Sequence, residues 1–80
     1  MSSQIIHEMQ RSIEEYVGPF LSEVITKKAL VKVGGNKENY TVEDLKKALE
    51  MHIVPALYAL LSKEKVQECR RKIESKIKEM

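Results

Sequence analysis

"YVGPF", residues 16–20, sets a glycine and a proline inside an otherwise helical pattern, and "IVPAL", residues 53–57, interrupts a second one. How these two interruptions are read decides the architecture. Around the first, apolar residues fall at 5, 6, 9, 13, 16, 17, 20, 21, 24 and 25, the rhythm of one buried helix face. Pro19 lacks an N–H and disfavours α geometry at Gly18, while glycine can take the left-handed conformation that ends a helix. Proline also suits the first position of a following helix. The spacing predicts two helices, about 3–17 and 19–33, meeting at a corner, with one kinked helix as the alternative.

Downstream, "VGGNKENY" (33–40) reads as a loop. Gly34 ends the second helix, and Gly35 with Asn36 and Asn39 suits turns. Thr41 is the next N-cap, with Asp44 three residues on as a variant capping box and Tyr40 placed to staple onto Leu45. Val42, Leu45, Leu49 and Ile53 then mark an apolar face up to Pro55. No strong capping residue precedes this second proline, so a kink is expected there rather than a break. Ser62 caps a last helix, "KEKVQECRRKIESKIKEM", whose apolar positions Val66, Cys69, Ile73, Ile77 and Met80 form one narrow stripe.

The two interruptions lie 36 residues apart. With that shift Ile6 falls on Val42, Met9 on Leu45, Ile13 on Leu49, Pro19 on Pro55, Leu21 on Leu57 and Ile25 on Leu61. A repeat of two helix–Pro–helix units would pack its halves about a pseudo-twofold. Chance alignment of two amphipathic helices accounts for the same pattern, and both readings stand at this point. The expected fold is all-α: a compact bundle of four to five short helices in a single domain, 1–80.

Size and composition bound the function. Eighty residues bury roughly 60% of their unfolded-chain surface, and carry a stability of about 4–12 kcal/mol. With 42% apolar and 32% charged residues, the chain is of ordinary globular type rather than disordered. A net charge of +2 does not by itself point to a polyanionic partner. The longest apolar run, "IVPALYALL", falls far short of the roughly 20 residues that span a bilayer. The first residues lack the basic and apolar regions of a secretory signal, and the lone cysteine, Cys69, fits a reducing compartment. A cytoplasmic location with no membrane partner is expected.

"YVGPFLSEVITKKALVKVG", with the Thr41-led helix and the run to Ile73, resembles a small helical domain of unknown activity appended to bacterial signalling proteins such as kinases and response regulators. The likeness spans about residues 13–75 and is carried by Gly18, Pro19, Ala29, Leu30, Thr41, Leu45, Leu57 and Leu61. The resemblance implies a domain that binds another protein and brings no catalytic residues.

Nothing in the chain spells out a reaction. His7, His52 and Cys69 have no metal-ligand spacing, and neither histidine is near Cys69 in sequence. Gly34–Gly35 lacks the strand and lysine pattern of a phosphate loop. A non-enzymatic protein-interaction module with no cofactor or metal is therefore expected, self-associating as a homodimer through Val66, Cys69, Ile73, Ile77 and Met80. The alternative is a small nucleic-acid-binding regulator touching phosphates through Arg70, Arg71 and Lys72. Interspersed glutamates and the lack of an aromatic stacking set weigh against it.

Overall fold

A computed structural model describes residues 2–34 and 40–79. Helix α1 covers Ser2–Val17 and α2 covers Pro19–Gly34. The third helical stretch has three parts: α3 (Val42–Ala48), a π-helical turn (Leu49–Ile53) and α4 (Val54–Tyr58). Helix α5 covers Lys63–Lys78. No strand occurs among the described residues. Helix α1 packs on both α2 and α5; α2 packs on α3 and the π turn, and α5 closes the ring against α3 and α4. One core, including Met9, Ile13, Leu30, Leu49, Leu57 and Ile73, receives side chains from every helix.

The corner at Gly18 follows the sequence reading. Gly18 has φ +88°, the left-handed region where a side chain is strained, and it is the one described residue with positive φ. Its N–H still donates to Glu14 O at 2.9 Å, and its own carbonyl accepts from Ser22 N at 3.1 Å. One residue thus closes α1 and opens α2. Pro19 is the first residue of α2, where a missing N–H costs nothing.

Pro55 is handled differently. The helix neither stops nor turns a corner; it widens just before the proline, with Val54 N–H bonding to Leu49 O, five residues back. Two features of the sequence favour this wide turn. In a regular α-helix the proline ring clashes with the carbonyl four residues back. The core side chains also recur every four residues, at Leu45, Leu49, Ile53 and Leu57, and all four are fully buried. On a 3.6-residue helix such a row drifts about 40° per step, so three steps would carry Leu57 off the inner face. A turn holding one extra residue cancels much of that drift.

The 36-residue correspondence therefore holds only up to the prolines. Met9 and Leu45 are both buried, as are Ile13 and Leu49. Beyond them Leu21 is exposed where Leu57 is buried, and the glycine corner has no counterpart in the π turn. The two stretches share an apolar phase, not a backbone path.

The remaining helix starts match their sequence signals. Thr41 Oγ1 accepts from Asp44 N at 3.1 Å, and the Asp44 carboxylate accepts from Thr41 N at 3.1 Å, so the capping box is complete. Tyr40 is half-buried against the core to which Leu45 belongs. Ser62 Oγ accepts from Lys65 N at 3.4 Å and caps α5. Of the expected loop, Gly35, Asn36 and Asn39 lie outside the described residues.

Candidate interaction surface

The proposed seam on α5 is not a surface. Val66, Cys69 and Ile73 have no exposure and Ile77 has 1%. They face α1, α3 and α4 of their own chain and belong to the common core. The self-association seam expected from this stripe is therefore corrected: a second copy has no access to it while the chain holds this fold. Met80 lies outside the described residues. A narrow row on a terminal helix looks alike in sequence whether its own domain or another molecule covers it. Here the small core needs the row.

Burial pushes the Cys69 thiol up to about 11, although Lys72 pulls the other way. Its Sγ is 3.9 Å from Ser12 O, a weak contact inside the α1–α5 interface. Such a thiol stays protonated and is a poor nucleophile at neutral pH. His7 is exposed and His52 half-buried, and no cluster of three metal-ligating side chains occurs among the described residues.

The three cations of the alternative reading point to different tasks. The Arg70 guanidinium forms ion pairs with Glu50 at 2.6 Å and Glu74 at 2.9 Å, tying α5 to the π turn. The hydrogen bond to Glu50, then its charge, raises the Arg70 pKa further. Lys72 holds Glu15 of α1 at 3.0 Å and lies 5.1 Å from the Tyr16 ring centre, and the Glu15 bond raises its pKa. Only Arg71 has no carboxylate partner among the described residues, its Nε donating to Gln67 O at 3.3 Å. These residues do not make a continuous positive patch. A groove of about 790 Å³ runs between α1 and α5, lined by Arg11, Arg71 and Lys72 but also by Glu8, Glu14 and Glu15. Cations and carboxylates alternate along it, and Lys76 reaches Glu8 at 3.9 Å across it.

The unusual surface is on α2. Its inner side carries Ser22, Ile25, Thr26, Ala29 and Leu30, small enough at three positions for close helix packing. Its outer side is apolar too: Phe20 is 75% exposed and Val31 60%, with Leu21 exposed beside them and Val24 half-buried between. A helix apolar on both sides has a face left to cover. Lys27 stands in that outer row and holds Glu23 at 2.7 Å, which lowers the Glu23 pKa. Reading residues 5–25 as one continuous apolar face missed this surface, because the Gly18 corner resets the phase. The signal was nevertheless present: "PFLSEVITKKALVKVG" holds more apolar residues than one stripe can bury.

No helix among the described residues is long and apolar enough to cross a membrane. No known family model matches the sequence, and neither the curated proteins nor the solved structures yield a match.

Proposed function

We propose that this chain is a non-enzymatic protein–protein interaction module of a bacterial signalling or regulatory system, working in the cytoplasm. The observation that carries the interaction reading is the outer face of α2, where Phe20 and Val31 are left in water on the side of the helix opposite its buried row. Burying such a face against a partner releases about 25 cal/mol per Å² of apolar area, a strong drive for a domain with few other assets. The signalling assignment rests on the resemblance carried by Gly18, Pro19, Thr41 and the leucines downstream. In this reading the ion pairs of Arg70 and Lys72 hold the bundle's shape.

A photo-reactive benzoylphenylalanine placed at Phe20, and at Glu64 on α5 as control, tests the reading in the native cell. The module reading expects a discrete protein adduct from position 20 and none from position 64. Equal background from both positions refutes it.

A further inference from the structure

The outer face of α2 has a pattern finer than mere hydrophobicity. Phe20, Val24, Lys27 and Val31 are spaced four, three and four residues apart, the spacing of the contact row in a two-helix seam. The residues behind this row, Ser22, Thr26 and Ala29, are buried in the chain's own core, so the row points away from it. Starting from the module reading above, we propose that this seam docks antiparallel on the same seam of a second copy, about a twofold axis.

Charge selects both the occupant and its direction. Parallel pairing would set Lys27 against Lys27 across the axis. Like charges so placed repel. Antiparallel pairing sets Phe20 over Val31 of the second copy, and Val24 over its Lys27. Each Lys27 then lies one residue along from the opposing Glu23, while keeping its own Glu23, which it holds at 2.7 Å. Two ammonium and two carboxylate groups alternate around the axis, and the lysine stems cover the valines. The twofold makes each of these contacts occur twice. A single polar position inside an apolar row is also the usual device for fixing register and direction. The row is about 17 Å long, taking 1.5 Å per residue. So short an interface belongs with weak, reversible pairs, and the expected Kd is micromolar.

Sedimentation equilibrium of the full chain, from low to high micromolar concentration, reads the dimer directly. The expected result is a reversible monomer–dimer equilibrium. Replacing both Phe20 and Val31 with serine weakens it at least about tenfold, since two apolar contacts are lost on each side of the axis. The far-UV circular dichroism of that variant stays unchanged, because both side chains lie outside the core. Lys27→Leu fills the centre of the row and tightens the pair by about tenfold. Direction is read by oxidation: an equimolar mixture of Phe20→Cys and Val31→Cys chains forms a disulfide dimer, and neither variant forms one alone. Cys69, being buried, does not compete. Self-linking of either single variant overturns the antiparallel arrangement, and a dimer indifferent to the serine changes overturns the seam. A chain that is monomeric at high micromolar concentration yet still gives the Phe20 photo-adduct overturns the second copy and leaves the module reading in place. Without that adduct both fall.

Discussion

The corner at Gly18 admits a test in which only handedness varies. A Cβ built at Gly18 meets nothing within 4 Å, so any cost of substitution comes from backbone conformation and not from collision. At φ +88° an L-residue pays about 1–2 kcal/mol to stay in the left-handed region. Alanine also stiffens the unfolded chain, returning about 0.4–1 kcal/mol. A D-alanine at this site has the same unfolded-state benefit and none of the left-handed cost. The two mirror forms should therefore differ by about 1–2 kcal/mol, or about 5–15 °C in Tm for a domain of this size. Gly18→Val, β-branched and stiffer, falls below the L-alanine chain. Chemical ligation gives access to all the chains, and urea unfolding followed by circular dichroism ranks them. Equal stabilities for the L- and D-alanine chains would refute the corner as a left-handed glycine device.

Three further outcomes follow from buried groups. Thr26 Oγ1 is buried with no hydrogen-bond partner among the described residues, so Thr26→Val removes an unmet hydroxyl and raises unfolding stability by about 1 kcal/mol in urea titration. Glutamate at both Ile73 and Ile77 puts two charges into the core and unfolds the chain, seen as lost far-UV ellipticity, rather than separating a pair of folded monomers. For Cys69, the folded thiol keeps a proton that the unfolded chain releases from about pH 9, so stability falls as pH rises from 9 towards 11. The loss reaches about 2–3 kcal/mol at the upper end; Cys69→Ala lacks this component, so the difference between the two pH profiles isolates it from lysine titration.

Much of the architecture was legible in short-range chemistry. Gly18–Pro19, the Thr41–Asp44 box and Ser62 each act through the backbone within four residues, and each sits where the sequence placed it. What escaped depends on partners distant in the chain. Whether the α5 row meets α1 or another molecule is decided by tertiary packing, and Arg70 finds Glu50 twenty residues back. The outer row of α2 was hidden by an assumption of continuous phase across a residue that breaks it. The π turn was hidden because a four-residue leucine row and a proline each look, in isolation, like ordinary helix content.

The π turn also constrains how this chain can change length. It holds one residue more than an α turn, so deleting a residue between Leu49 and Ile53 would restore regular winding while leaving both flanks facing the core. Restored winding would bring the ring of Pro55 against the carbonyl four residues before it. The extra residue and the proline are thus tolerated together. A descendant that sheds the residue would first have to exchange the proline, whereas one that exchanges the proline first keeps a foldable intermediate. Exchanging the proline first is the route that avoids the clash, and that order of events is favoured by the helix backbone.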